Sequence, residues 1–227
     1  MKLAAWYLRG MLVCMIFGIS TVHAADTSAL LDGWFASQTN VHTWSADAVQ
    51  TRSIKTFSQP LVSTGKVWVV TPDYFRWELG QPPQTIAVRQ PDQLWLLYPR
   101  LKRAEKYPLT GNDPGPWRDA LALLEASFPR SRAGLESRFT VLSVVQTNAV
   151  VQVSLQPKSA FARKFMSQIQ ISFRAEDFSP SSTELQFSDG SSMRNDFSHS
   201  VLNAVLPREL FEVHLGADTK LVEPLKK

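Results

Sequence analysis

The sequence predicts a mainly β protein with an α lid, in which an antiparallel sheet of about eleven strands curls into a barrel or half barrel. Two observations predict this fold. Short segments with alternating apolar and polar residues recur along most of the chain, and turn residues separate them. Apolar residues at helical spacing occur in two regions, near the N terminus and in mid-chain. The N-terminal helix and the mid-chain helical insert would cover the open, concave side of the sheet.

Residues 1–24 are predicted to be a cleaved signal peptide. Lys2 and Arg9 form the basic start, Met11–Ile19 the apolar run, and Val22–Ala24 the small-x-small cleavage pattern. An apolar run of about ten residues is too short to remain as a membrane-spanning helix. The mature protein is therefore expected to be exported.

Residues 25–227 are expected to form a single domain, because no linker-like run or repeat divides them. Loss of Lys2 and Arg9 lowers the formal net charge from +4 to +2, which is too weak to indicate a nucleic-acid partner. The one cysteine, Cys14, lies in the signal peptide. No disulfide is therefore expected and, since Val13 precedes the cysteine, no lipid anchor.

The first helix of the domain can be capped by Asp26 or Thr27. It carries an apolar stripe that must pack on the sheet, formed by Leu30, Leu31, Trp34 and Phe35. A meander of strands follows, because proline-containing turns separate short strand-like segments. These strands are predicted at Asn40–Arg52, Ser63–Val70, Tyr74–Gly80, Gln84–Arg89, Gln93–Tyr98 and Arg103–Leu109.

Helices interrupt the sheet near its middle. The loop Gly111–Pro116 ends in a proline that suits the first turn of a helix. A shorter helix is predicted from Ser131 to Arg138. Between them, apolar residues recur at helical spacing, at Trp117, Leu121, Leu124 and Phe128.

The second set of strands contains the strongest hairpin signal of the chain, Asp189-Gly190. The segment Pro157–Phe165 is predicted to be a hairpin-like connection at the rim. Its cations and phenylalanines could also contact a membrane surface or a partner protein. The strands are predicted at Phe139–Gln146, Ala149–Gln156, Ser167–Arg174, Thr183–Ser188 and Ser192–His199, with a last strand-like piece at Leu210–His214.

Residues for catalysis are sparse, so the chain is predicted not to be an enzyme and to need no metal or cofactor. His42, His199 and His214 have no partner at metal-ligand spacing, and the sequence contains no phosphate loop or serine elbow. Glycoside hydrolysis needs two carboxylates at a set separation, which the sequence does not define. The candidates for such a pair are Asp47, Glu78, Glu105, Asp113 and Glu184.

Apolar surface is the most distinctive property of the strands. In an extended segment, Phe75, Trp77 and Leu79 share one face, and the polar face carries Arg76 and Glu78. The strands that contain Val67–Val70 and Leu94–Tyr98 are apolar on both faces. One interpretation is a core strand packed on both sides. The other is the wall of a hydrophobic cavity, and acyl chains suit such a cavity because each buried methylene contributes roughly 0.8 kcal/mol.

The segment Gly65–Glu78 has the pattern G-x-x-W/F-x-x-x-P-x-x-F-x-W, with Gln81-Pro82 and the Leu94-Trp95 strand behind it. In this pattern and in the order of its elements, the whole mature chain resembles the LolA family of periplasmic outer-membrane lipoprotein carriers. The resemblance implies an unclosed antiparallel barrel whose concave face is covered by helices. It also implies a monomeric periplasmic carrier that receives acylated lipoproteins from an inner-membrane ABC transporter and passes them to an outer-membrane acceptor.

The resemblance also implies roles for individual residues. Phe75 and Trp77 match aromatic positions of the family core. Where well-studied carriers have an arginine that holds the lid closed, this chain has Thr71, so Arg76 or Arg89 is the candidate lid latch. The neighbouring cavity-wall residues would be Trp68, Leu79, Leu94 and Leu96, and the inner lid faces would be Leu30, Leu31, Trp34, Trp117, Leu121 and Leu124.

Two functions from different classes follow from this interpretation. The leading one is a carrier that shields the acyl chains of a lipoprotein, or of a related lipid, in transit. The alternative is an envelope sensor or adaptor that uses the same half barrel to bind a protein partner.

Overall fold

In the computed structural model of the protein, residues 24–109, 126, 128–129 and 131–223 are described. The predicted signal peptide, apart from Ala24, and the predicted lid residues Trp117, Leu121 and Leu124 lie outside them. The described residues form twelve strands, so the mainly β fold predicted from the sequence is confirmed. The strands are β1 (Thr43–Ser53), β2 (Leu61–Val70), β3 (Tyr74–Leu79), β4 (Thr85–Gln90), β5 (Gln93–Tyr98), β6 (Arg103–Pro108), β7 (Phe139–Thr147), β8 (Val150–Pro157), β9 (Met166–Arg174), β10 (Pro180–Phe187), β11 (Ser192–Leu202) and β12 (Lys220–Val222).

The strands form one sheet in the order β12-β6-β5-β4-β3-β2-β1-β11-β10-β9-β8-β7. The meander β1–β6 and the meander β7–β11 are joined by the antiparallel pairing of β1 with β11. Within the described part of the chain, the order begins at β12 and ends at β7, so the curled sheet is unclosed. One face, called the concave face here, carries the N-terminal helix.

Three α-helices accompany the sheet in the described residues: α1 (Ala24–Gln38), α2 (Arg132–Arg138) and α3 (Ala160–Phe165). Helices α1 and α2 agree with the two helices predicted for these regions. The side chain of Ser131 caps α2 by accepting a hydrogen bond from the Gly134 N–H at 3.0 Å. Among the residues described, no helix has the length and apolar character needed to cross a membrane.

Helix α1 fills one half of the concave face. The Trp34 side chain is fully buried and stacks on Phe173 of β9, with ring centroids 4.8 Å apart. Leu31 and Phe35 are buried in the same cluster. The alternation read from the sequence places the apolar residues of β8 and β9 on this face, and each is at most 1% exposed: Val151, Val153, Leu155, Ile169, Ile171 and Phe173.

The segment Pro157–Phe165 connects the antiparallel strands β8 and β9, as predicted, and it contains the short helix α3 instead of a plain turn. The Ser159 side chain accepts a hydrogen bond from the Ala162 N–H at 3.2 Å, which starts α3. The Arg163 guanidinium donates to the carbonyl oxygen of Pro157 at 2.9 Å and holds the turn. Local capping therefore converts the connection into one and a half turns of helix.

The predicted strand-like piece at Leu210–His214 is wrong. This segment crosses the convex face of the sheet, where Arg208–Phe211 forms a 3₁₀ helix. The carbonyl oxygens of Leu210 and Phe211 accept hydrogen bonds from the side chains of Arg76 and Gln90 instead of from a neighbouring strand. The last strand, β12, follows later and pairs in parallel with β6.

Gly65 brings β2 and β3 close together. A Cβ atom at this position would lie 1.8 Å from the carbonyl oxygen of Glu78, so any side chain would force the strands apart. The close approach of the two strands thus explains why the G-x-x-W/F pattern begins with a glycine. The close pairing sets Val67 opposite Trp77 and Val69 opposite Phe75.

Candidate functional site

A cavity of about 1040 Å³ lies on the half of the concave face that α1 leaves uncovered. Side chains from β1–β5, from β9–β11 and from the described residues between 126 and 139 line it. Its volume is at the upper end of the roughly 300–1,000 Å³ that is usual for small-molecule sites. The cavity is therefore the candidate functional site.

The apolar wall of the cavity is built by cross-strand rows on β2 to β5. Directly opposite residues in antiparallel strands project to the same face. The first row contains Val69, Phe75, Arg89 and Leu94, and the next contains Val67, Trp77, Ala87 and Leu96. The third contains Gly65, Leu79 and Thr85. The structure thus brings five of the predicted wall residues together around the cavity: Phe75, Trp77, Leu79, Leu94 and Leu96.

The sixth predicted wall residue, Trp68, is placed differently. It lies directly opposite Arg76, on the convex face, so its predicted position on the wall is wrong. Residues 67–70 of this strand are apolar on both faces, so the size of the Trp68 side chain does not show which face it is on. Strand alternation instead places Val67 and Val69 on the wall.

The predicted lid residues of α1 lie in a packed core. Leu31 is 4% exposed, Trp34 is fully buried, and Leu30 packs against the same cluster. These side chains cover the sheet over β7–β10 rather than the cavity. From the described part of the mid-chain segment, Phe128 reaches the cavity and packs against Trp44, with ring centroids 5.2 Å apart.

A row of polar side chains crosses the wall on β1, β11 and β10. The Gln50 amide donates to the Asn195 Oδ1 at 3.0 Å, and the Asn195 amide donates to the Thr183 hydroxyl oxygen at 3.1 Å. Asn195 is 3% exposed, yet it lines the cavity. Sequence reasoning missed this row, although the alternation in β11 carries a signal for it, since Asn195 and Phe197 are two residues apart.

The two candidate latch arginines lie on opposite faces. Arg76 is on the convex face, where its Nε donates to Glu78 at 2.6 Å and its Nη1 donates to the Leu210 carbonyl oxygen at 3.2 Å. It is therefore in the wrong place to latch a lid over the cavity. Arg89 is on the cavity face and donates to the carbonyl oxygen of Pro72 and to a carboxylate oxygen of Asp73, each at 3.2 Å.

Thr71 connects the turn between β2 and β3 to the start of β1. Its hydroxyl donates to the carbonyl oxygen of Val41 at 2.8 Å, and both residues line the cavity. This neutral contact occupies the position at which the resemblance leads us to expect an arginine. Arg89, from the neighbouring strand β4, is the cation that reaches the same turn.

Trp77 brings a buried hydrogen-bond donor to the wall. Its ring packs near Phe197, with centroids 6.0 Å apart. The Nε1–H is buried and has no hydrogen-bond partner among the residues that the structure describes. An unpaired buried donor costs about 1–3 kcal/mol, so a movement of the ring that let the N–H meet an acceptor would be favoured.

The edge of the apolar wall is closed by a buried polar pair. The Tyr107 hydroxyl donates to Glu105 at 2.6 Å, and Tyr107 packs against Phe75 and Leu94. Burial raises the pKa of the Tyr107 hydroxyl, and its hydrogen bond to Glu105 raises that pKa further. The phenol therefore stays neutral beside the apolar wall.

The four predicted acids that the structure describes are each engaged by another side chain. Asp47 contacts His199 at 3.0 Å, Glu78 accepts from Arg76, Glu105 accepts from Tyr107, and Glu184 pairs with Arg194 at 3.5 Å. Asp113 lies outside the described residues. Within the described ranges, no group of three or more His, Cys, Asp or Glu side chains could hold a metal ion.

The chain matches the family model for LolA, described as outer membrane lipoprotein carrier protein, over residues 39–214. No curated protein matches. Among solved structures, an uncharacterized conserved protein from Thermus thermophilus aligns with a TM-score of 0.50 at 10% identity, over 87% of this chain and 99% of that chain. At this identity, the likeness concerns the fold alone.

Two further structures align with lower scores. A LolA superfamily protein from Nitrosomonas europaea has a TM-score of 0.41 at 9% identity, over 82% of this chain and 97% of that one. The Pseudomonas aeruginosa MucA/MucB complex contains a chain with a TM-score of 0.46 at 14% identity, over 87% of this chain and 63% of that one.

Proposed function

This chain belongs to the LolA family of outer membrane lipoprotein carrier proteins, and we propose that it carries acyl chains of a lipoprotein, or of a related lipid, in its concave cavity. The observation that carries the proposal is the apolar wall on β2, β3 and β5, which Ala87 of β4 connects across the row of Trp77 and Leu96. Such a wall binds hydrocarbon through area, without requiring many directed contacts.

The cavity has the size and chemistry that acyl chains need. Each methylene transferred from water to the wall contributes roughly 0.8 kcal/mol. Phe75 and Leu94 provide a rigid part of this wall, since they are 7% and 3% exposed and pack in one cluster. A bound chain would lie against these side chains and leave its polar end at the rim.

Transport by such a carrier involves no bond making or breaking. The signal peptide predicted in residues 1–24 would deliver the protein to the periplasm. There it would receive cargo from an inner-membrane ABC transporter and pass it to an outer-membrane acceptor. Release would follow from an exchange between closed and open states of a lid, with Arg89 as the candidate latch at the rim.

The direct test is the cargo that copurifies with the mature protein from its own periplasm, identified by mass spectrometry. Phe75→Glu introduces a carboxylate into the apolar wall, where burial of an unpaired charge is costly. We expect this variant to lose at least roughly nine-tenths of the acyl-bearing cargo because of that cost. A Phe75→Glu protein with the full cargo would show that the cavity is not the binding site.

Val145→Glu is the matched control. Val145 is 48% exposed on β7, next to Val144, which packs against the core under α1. The same carboxylate at this position remains in water. This variant should keep the cargo of the wild type, and both variants should show the circular dichroism spectrum of the folded protein.

A further inference from the structure

The connections between consecutive strands at one end of the sheet are strongly basic. This end, called the basic end here, holds the β1–β2, β3–β4, β5–β6, β8–β9 and β10–β11 connections. They contain one carboxylate, Asp189, and six cations: Lys55, Arg100, Lys102, Lys158, Arg163 and Lys164. A second carboxylate, Asp218, approaches this end and pairs with Lys102 at 2.5 Å.

The opposite end carries carboxylates instead of cations in its connections. Its described connections are β2–β3, β4–β5, β7–β8 and β9–β10. They contain no lysine or arginine, and they contain four carboxylates: Asp73, Asp92, Glu176 and Asp177. The small net charge of the whole chain therefore conceals a charge separation along the strands. Part of the negative charge is offset by strand residues, because Asp73 pairs with Arg89 at 3.2 Å and Asp177 pairs with Arg174 at 2.7 Å. The main effect of a negatively charged surface would therefore be to attract the basic end.

Exposed phenylalanines are concentrated at the basic end. Among the described residues, the three exposed phenylalanines are Phe57 in the β1–β2 connection and Phe161 and Phe165 in α3. They are 55%, 44% and 56% exposed, respectively. Helix α3 buries Ala162 and turns the rings of Phe161 and Phe165 outward, with centroids 5.1 Å apart. Adjacent exposed aromatic rings of this kind indicate an interaction surface.

Hydrogen bonds join these connections into one surface. The Ser188 N–H donates to the Phe165 carbonyl oxygen at 3.0 Å, and the Ser188 hydroxyl donates to the Arg163 carbonyl oxygen at 2.9 Å. On the other side of the same turn, the Lys55 N–H donates to the Ser191 hydroxyl oxygen at 3.2 Å. The backbones of α3 and of the β1–β2 connection, which carry the phenylalanines and cations, are thus held around the turn between β10 and β11.

We propose that the basic end docks on the surface of an anionic phospholipid bilayer. The phenylalanine rings would enter the boundary between headgroups and acyl chains, and lysine and arginine side chains would contact phosphate groups. The attractions of separate cations to an anionic surface add together, so the cations that remain when Lys102 pairs with Asp218 suffice, with the three rings, for reversible docking. A protein partner would explain the rings, but the excess of cations at this end favours a lipid surface.

This docking surface is continuous with the cavity. Met193 and Leu185 line the cavity, and in the same cross-strand row Arg52 and Leu61 extend to the basic end. Docking would therefore bring one end of the cavity close to the lipid headgroups. The proposal goes beyond carriage of acyl chains and stands or falls independently of it, because empty protein can be tested.

The test is flotation of delipidated mature protein with vesicles at low ionic strength. One vesicle population is pure phosphatidylcholine, and the other is an equimolar mixture of phosphatidylcholine and phosphatidylglycerol. We expect the protein to bind to the mixed vesicles. High salt should weaken this binding because it screens the electrostatic attraction between the cations and the anionic headgroups. Phe161→Ser with Phe165→Ser, and separately Lys164→Glu, should each lower the bound fraction at least about threefold.

Matched variants control for apolar area and for net charge. Val201→Ser with Val205→Ser removes two exposed side chains away from the basic end, and Lys66→Glu makes the same charge change on an exposed mid-strand residue. Both controls should float like the wild type, and thermal unfolding should show that all variants fold. Equal flotation with both vesicle types, or full binding by the Phe161/Phe165 variant, would overturn the proposal. No flotation with either vesicle type would also overturn it, and would favour a protein partner for this surface.

Discussion

Trp77 carries a polar N–H group on an otherwise apolar wall. Its cross-strand neighbours are Val67 on β2 and Ala87 on β4, so the indole ring adds apolar area to the wall. Its buried Nε1–H lacks a partner among the described residues. The atom is closed off even from water in this conformation, so a lipid ester or amide carbonyl would supply the missing acceptor only if the indole ring turns toward the cavity on binding. A bare hydrocarbon chain would not supply it in any conformation.

Trp77→Phe tests this role. The substitution keeps an aromatic ring and removes the donor, and a neutral hydrogen bond contributes about 0.5–1.5 kcal/mol. We expect the affinity for an ester-linked lipid to fall about threefold to tenfold, measured by displacement of a fluorescent fatty acid. The ether-linked lipid with the same chains serves as the control, and an equal loss for both ligands would rule out the hydrogen bond.

At the residue scale, alternation is sufficient to predict which side chains of β3 share a face. It places Phe75, Trp77 and Leu79 together because each step along an extended chain reverses the side. The prediction for Trp68 is wrong for another reason: residues 67–70 of β2 are apolar on both faces, so their sequence does not show which face meets the cavity. The hydrogen-bonded row of Gln50 and Asn195 depends on a pairing between β1 and β11, which are distant in sequence.

Among the elements, the turn between β9 and β10 is held by one carboxylate. Asp177 accepts hydrogen bonds from the Arg174 guanidinium at 2.7 Å, from the Ser179 N–H at 2.9 Å and from the Ser179 hydroxyl at 2.7 Å. The hydrogen bond from Arg174, together with those from Ser179, lowers the pKa of the Asp177 carboxyl to about 2, against an ordinary value of 3.8. The carboxylate form therefore stabilises the folded turn.

Asp177→Asn should remove this pH-dependent contribution. Because the folded-state pKa is lowered, the contribution is present above pH 3.8 and is lost as the pH falls toward about 2. Urea unfolding should give a less stable variant at pH 7, by at most about 1 kcal/mol since the pair is partly exposed. The difference from the wild type should shrink across the acidic window. Glu176→Gln, which changes a more exposed neighbour of Arg174, should show no such convergence.

The elements differ in how far the sequence predicts them. Helix α1 has a clear apolar stripe, and the meander β2–β6 has a proline or glycine near its turns, so the sequence predicts both near their observed bounds. The segment around Leu210 looks like a strand because apolar residues alternate there. Its course over the convex face depends on Arg76 and Gln90, whose side chains bind its carbonyl oxygens, and this nonlocal contact leaves no local pattern.

For the whole molecule, one curled sheet serves two purposes on one face. Over β7–β10 the concave face is filled by Trp34 and its neighbours, and over β1–β5 it leaves a cavity. The strands in both halves show similar apolar patterns, so the sequence predicts the half barrel but not where packing ends and the cavity begins. That boundary is set by where α1 lies.

The proposed carriage of acyl chains requires the cargo to lie on the concave face. Leu96 and Leu97 are adjacent on β5 but belong to opposite faces, since Leu96 lies opposite Ala87 and Leu97 lies opposite Ile86. A photoreactive benzoyl-phenylalanine at either position reports which face the acyl chains contact. The measurement is crosslinking to acyl cargo in the periplasm, followed by mass spectrometry of the labelled protein. We predict crosslinks from position 96 and background labelling from position 97; equal labelling at both positions, or labelling at 97 alone, would contradict the cavity as the carrier site.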